Sequence, residues 1–185
     1  MATESKKTCS ALEAANFLVF LMKDSYDDLT NMKINKLLYY AQGHYLKEHG
    51  YPLFNEKIYA WDHGPLVKEV YGKYKSYHDK PINTCDEREA LSLDDDIKSF
   101  LLEIARVYGR YTAPALRNMT HKPNTPWDKT QNETEIAISL INDYFVKYEE
   151  PIKPIEIDMS DDGFIGYHDD SGVFVLPEEW RDEEV

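Results

Sequence analysis

A chain of 185 residues with 42% hydrophobic and 13% aromatic content can bury one core and still carry an appendage, which excludes a disordered or fibrous protein. Its net charge of −13 excludes a general nucleic-acid binder, because phosphate contacts need clustered Lys and Arg. Two cysteines without CxxC spacing and no run of eighteen apolar residues exclude a zinc or disulfide framework and a transmembrane helix, and a cytoplasmic setting is expected.

The N-terminal stretch reads as a folded helix rather than a signal peptide, because Glu13 and Asn16 interrupt its apolar run. Ser10 with Glu13 is a capping box, and Leu12 to Met22 is apolar almost all round. This helix is therefore expected to be the central buried one. Asp24 to Leu29 is a polar connection. A second helix follows between Thr30 as N-cap and Gly50 as C-cap, with Ile34, Leu37, Leu38, Ala41 and Tyr45 on one face. Lys57 to Trp61 has a strand-like texture, and Gly64-Pro65 is expected to start a helix with Leu66, Val70 and Tyr74 inside.

Lys80 to Leu91 reads as a loop. Ser92 and the three aspartates behind it predict a helix start, with Ile97, Leu101, Ile104 and Tyr108 as its inner stripe. Thr112 with Pro114 predicts a short helix stopping near His121, and Pro123 and Pro126 stiffen the loop around Trp127. Asn132 with Glu135 resembles a capping pair ahead of a face formed by Ala137, Leu140, Ile141, Tyr144 and Tyr148. The expected fold is mainly α, a compact bundle of about six helices with a minor β element.

Residues 1–150 form the expected helical domain, and 151–185 an acidic extension. Up to Tyr148 there are 19 basic against 21 acidic residues; beyond it there are 2 against 13. The acidity therefore belongs to the extension. Its alternating texture predicts a β-hairpin, Phe164–Tyr167 with Val173–Leu176, after a further strand at Ile155–Ile157.

No metalloprotease, P-loop, nucleophile-elbow or dinucleotide fingerprint occurs, so no catalytic, cofactor-binding or metal-binding residue is assigned and no cofactor is expected. Asp62-His63 is the most enzyme-like pair, but beside Gly64-Pro65 it reads better as a turn that satisfies backbone donors. His121 reads as a histidine bonding a neighbouring carbonyl. Lysines 33, 36, 68, 73 and 75 read as solvated helix faces. Trp61 and Trp127 read either as interface anchors or as core pieces fixing their loops. Tyr39 and Tyr40 diverge by about 100° on a helix, so one should reach the surface, and Tyr40 is assigned there.

The segments KINKLLYYAQGHYL, PLF, AWDHGPLVKEVY and, further on, THKPNTPW resemble the two sequence blocks of the Panacea domain, the SocA-like antitoxin family, formerly a domain of unknown function. The resemblance covers about residues 11–147 and leaves the extension outside. Where this chain has His63, the family pattern often has an aromatic.

The resemblance implies a non-enzymatic antitoxin, prokaryotic or phage-encoded, that neutralises a cognate toxin encoded nearby through direct protein–protein contact. Neither direct nucleic-acid binding nor membrane association is expected. Two alternatives stay open: a proteolytic adaptor that delivers the toxin to an ATP-dependent protease, and a small hydrolase using Asp62, His63 and His121. Candidate partner-binding residues are Tyr40, Trp61, His63 and Trp127 on the body, and Phe164, Tyr167, Phe174 and Trp180 on the extension.

Overall fold

The computed structural model describes residues 6–26 and 28–152, together with the strand residues Tyr167–His168 and Phe174–Val175. Its organising element is the second helix, α2 (Asn31–His49). Thr30 Oγ1 accepts the Lys33 N–H at its start, and Gly50 closes it in the left-handed conformation at φ 71°. Fifteen of its nineteen residues are buried, because α1 (Ala11–Met22), α3 (Lys68–Tyr74), α5 (Asp95–Tyr108), α6 (Ala113–Thr120), α7 (Ile138–Tyr148) and the strand β2 (Gly64–Val67) all pack on it. The fold is mainly α, with β1 (Ile58–Trp61) pairing antiparallel to β2.

Sequence reasoning placed α1 at the centre. Its capping box is present, with Ser10 Oγ accepting the Glu13 N–H and Glu13 Oε2 accepting the Ser10 N–H. Eight of its twelve residues are buried, but Leu12 is exposed. The more polar α2 takes the centre because its polar side chains are spent on neighbouring backbone. Gln42 donates to Phe54 O at 2.9 Å and accepts the N–H groups of Leu53 and Phe54. Asn35 donates to Asn31 and accepts the Val67 N–H, while Asn31 donates to Tyr71 O. A buried amide that finds such partners avoids most of its desolvation cost.

Several expected boundaries shift. Gly64-Pro65 opens a strand instead of a helix, and α3 begins only at Lys68. The register runs from Trp61↔Gly64 to Ile58↔Val67. Gly64 supplies φ 97° for the turn, and the Asn35 side chain takes up the Val67 N–H that a helix start would have left free. The supposed Asn132–Glu135 capping pair is an extended segment lying along β1: Tyr59 bridges Glu135, and Ile136 N–H donates to Ile58 O at 2.8 Å. The loop expected at 80–91 contains α4 (Glu87–Ser92), capped by Asp86, which Asn16 holds through both its backbone N–H and its C=O. Only Ala90 of α4 is buried, so its sequence shows no apolar stripe. Asp94, not Ser92, caps α5, whose predicted inner stripe is buried throughout.

On α7 the buried residues are Ile141 and Phe145, while Tyr148 is 55% exposed. Phe145 fills the space beside Gly43, where a Cβ would stand 2.2 Å from its ring. The same packing corrects Tyr40. It is 3% exposed and stacks on Tyr108 at 4.1 Å between centroids, while Tyr39, at 2%, meets Phe145 edge-on. The two side chains do diverge, but α5 and α7 cover both directions. His44 lies in this aromatic cluster too, its Nε2 2.7 Å from the Tyr108 hydroxyl, and burial pushes its imidazole down to about 4.

Chain contacts divide the protein into Met1–Ile152 and Lys153–Val185. In the second unit, β3 (Tyr167–His168) pairs antiparallel with β4 (Phe174–Val175), Tyr167 opposite Val175. The predicted strand 155–157 and the candidate partner residues Phe164 and Trp180 lie outside the described residues. No helix among the described residues is long and apolar enough to cross a membrane.

Candidate functional site

The turn between β1 and β2, Trp61-Asp62-His63-Gly64, gathers the chemistry-bearing residues that the sequence singled out. Its backbone is held from one side by α6 and the segment that follows it. Trp127 Nε1–H donates to Trp61 O at 2.7 Å, His121 Nε2 lies 3.1 Å from Asp62 O, and Arg117 Nη2 reaches the same carbonyl at 3.4 Å. Asn132 Nδ2 donates to Asp62 Oδ1 at 2.7 Å. The clamp is itself rigid. Thr125, 2% exposed, donates to Thr120 O and folds the Pro123–Pro126 loop back, and the His121 and Trp127 rings sit 3.6 Å apart between centroids. Trp61, His63, Trp127 and His121 thus belong to one structure. Tyr40 does not: it belongs to the aromatic core.

Asp62, His63 and His121 do not form a proton relay. The Asp62 carboxylate is taken by Asn132, and His121 meets the Asp62 carbonyl, with Nδ1 against Arg117 O at 2.7 Å. A relay needs the carboxylate on the ring nitrogen. This geometry gives His121 the work of holding the turn and offers nothing to the hydrolase alternative.

On its other side the turn borders an open cavity of about 290 Å³, lined by the first half of α2, by Tyr71 of α3 and by Lys75 and His78 just after it. Trp61 lies half-buried at its edge, its ring in a T-shaped contact with Tyr71 at 5.3 Å, while Asp62 and His63 are exposed. The cavity also reveals a residue that sequence reasoning misplaced. Lys36 is 2% exposed, not solvated, and its Nζ donates to Pro65 O at 2.9 Å. Burial, reinforced by the like charge of Arg117, pushes its ammonium down to about 7. Lys33 is buried as well, but it pairs with Asp28 at 2.6 Å. Lysines 68, 73 and 75 are exposed, as expected. A signal for Lys36 existed: Tyr39, Tyr40, Gln42 and Gly43 beside the apolar stripe leave α2 no clearly solvated face.

The buried amine has a measurable consequence. In the unfolded chain a lysine titrates near 10.4, whereas Lys36 in the folded chain does so at about 7. Between those values the unfolded chain holds more of this proton, so this group makes stability rise with pH across that window. Denaturation of the wild type and of Lys36→Met at about pH 7 and about pH 9.5 should show the wild type gaining on the variant at the higher pH. At the lower pH the variant should be at least as stable, since it removes a buried charge that has no carboxylate partner among the described residues. Parallel pH profiles would mean that the amine is solvated.

Most of the residues that build this site fall within the region of known relationship, with Asn31, Met32, Asn132 and Glu133 flanking it. The family model "Antitoxin SocA-like, Panacea domain" matches residues 34–128, from the start of the apolar stripe on α2 to just past Trp127. The chain is similar to Antitoxin SocA of Caulobacter vibrioides, with 29% identity over 140 residues, which covers 70% of this chain and 74% of that protein. No solved structure shows a significant match. With more than half its length matched, and with both matched blocks meeting at one clamped turn, the chain belongs to the SocA-like antitoxin family and carries its Panacea domain.

Proposed function

We propose that this protein neutralises a toxin encoded beside it by direct binding, and that the clamped turn with its adjoining cavity forms the centre of the contact surface. The observation that carries this reading is the preorganisation of the turn. Four side chains fix Trp61 and Asp62 from behind and leave His63, Asp62 and Tyr71 exposed around a half-buried Trp61. Binding to a surface already held in shape avoids much of the ordering cost of association, and a Trp–Tyr pair beside a cavity has the character of an interface hot spot. The acidic extension, with Tyr167 and Phe174 on its hairpin, is assigned a second role. Its carboxylates speed encounter with a basic toxin, while its aromatics, Phe164 and Trp180 included, slow release.

Co-expression with the adjacent reading frame tests the proposal by growth rescue and co-purification. A stable complex should form, and His63→Glu and Tyr71→Ala should each weaken it about tenfold or more without lowering the melting temperature. A chain ending at Ile152 should still bind, but with slower association that depends less on salt. Rescue without a complex would count against direct neutralisation. Falling toxin levels that require an ATP-dependent protease would favour the adaptor mechanism.

A further inference from the structure

The hydrogen-bond inventory of the cavity is one-sided. An ammonium carries three N–H donors, and among the described residues Lys36 Nζ has Pro65 O as its one protein acceptor. Trp61 lines the same cavity, and its Nε1–H is buried without an acceptor among the described residues. The other deep polar groups are already matched: the Asn35 amide is spent on Asn31 and Val67, and Asn31 donates to Tyr71. In its protonated form Lys36 therefore has two spare N–H groups, and Trp61 one, that meet no spare acceptor at their own depth, since the carboxylates of Asp62 and Glu133 belong to exposed residues at the rim. Leaving buried donors unmatched is costly, and a charged donor most of all.

The remaining lining narrows the chemistry. Met32, Leu66 and Tyr71 supply apolar wall. The formal charges around the cavity balance, with Lys36 and Lys75 against Asp62 and Glu133, beside His63 and His78. A dianion such as phosphate would face two carboxylates with one deep ammonium, whereas a monoanion matches it. The volume of about 290 Å³ stands at the small end of ligand sites. We infer that this cavity is a binding site for a carboxylate carried on a small apolar body, with the carboxylate accepting from Lys36 and Trp61 and the apolar part lying against Leu66 and Tyr71.

Such a carboxylate could be supplied by a free organic acid or by an acidic residue of the protein partner, and the chemistry is the same for both. The test begins without any partner. The full chain, labelled with ¹⁵N, is titrated with 3-phenylpropionate, with its neutral amide and with inorganic phosphate. The acid should give saturable shifts at Lys36, Gly64 and Tyr71 below about 10 mM, while the amide and phosphate should bind far more weakly.

Lys36→Met should reduce the affinity for the acid at least about tenfold, and Trp61→Phe, which keeps a ring but removes the N–H, by about three- to tenfold. Both variants should keep the spectrum of a folded protein. Should Lys36→Met fail to fold, Trp61→Phe and the amide comparison decide alone. Equal binding of acid and amide, tighter binding of phosphate, or no saturable shift would overturn the inference. Where the acid binds, repeating the titration with the toxin complex identifies the source. Displacement of the toxin assigns the carboxylate to the partner, and simultaneous binding assigns it to a free solute.

Discussion

Phe145→Ala should destabilise the helical body by about 3–5 kcal/mol, the range for truncating a buried aromatic. The side chain is fully buried and meets Tyr39, Tyr40, His44 and Tyr144, so its removal opens a hole at the α2–α7 seam that rigid rings cannot close. Gly43 provides the sharper form of this test. Alanine there would normally gain up to about 1 kcal/mol, because glycine is a poor helix former. In this seam the new methyl would stand 2.2 Å from the Phe145 ring, and overpacking of that kind costs about 1–3 kcal/mol. Gly43→Ala should therefore lower stability in the wild type and raise it in the Phe145→Ala background. Urea denaturation of the four proteins in the cycle reads the sign directly. A Gly43→Ala effect of the same sign in both backgrounds would mean that the seam is looser than described.

Gly64→Ala is expected to cost about 2–5 kcal/mol, combining backbone strain of about 1–3 kcal/mol with a steric contribution of similar size. At φ 97° an L side chain is strained whatever the space around it. Here the space is also missing, since the Cβ would lie 2.7 Å from Lys36 Cε and 2.8 Å from Thr120 Oγ1. The substitution therefore strikes the turn, the buried lysine and the clamp together. A melting curve reports the loss of stability, and the fluorescence of Trp61 and Trp127 reports whether the clamp has opened. A variant as stable as the wild type would show that the turn can take another shape.

Much of the helical architecture was legible because apolar periodicity records burial where one face is dry and the other wet. Helix α5 satisfies that condition, and all four of its predicted inner residues are buried. Helix α2 does not. Surrounded on all sides, it buries Lys33, Lys36, Asn35, Gln42 and Tyr40, residue types whose ordinary place is the surface, and only the partners found for them explain the exception. Gly64-Pro65 misled for a related reason. The pair suits a helix start or a strand turn equally well, and the deciding group, Asn35 Oδ1 on the Val67 N–H, lies 32 positions away along the chain.

For the site, the two sequence blocks were visible, but not that they meet. From the sequence, Trp61 and Trp127 suit either an interface anchor or a loop fixer. The structure makes Trp127 a fixer through its bond to Trp61 O and leaves Trp61 beside the cavity. The cavity lysine was hidden by the expectation that a lone lysine on a helix is solvated.

The clamp also bears on how the chain folds. Its bonds join positions 59, 66 and 70 residues apart, whereas the capping box of α1 and the ends of α2 close within a few residues. Contacts so distant in sequence carry a large loop-closure cost before they return any stability. The ends of α1 and α2 can therefore close early, whereas the Trp61–Gly64 turn is locked late, together with other distant contacts such as the α2–α7 seam. Interactions absent from the transition state govern the unfolding rate more than the folding rate. On this ordering, the second sequence block acts as a latch that sets how long the Trp61–Gly64 turn keeps its shape once formed.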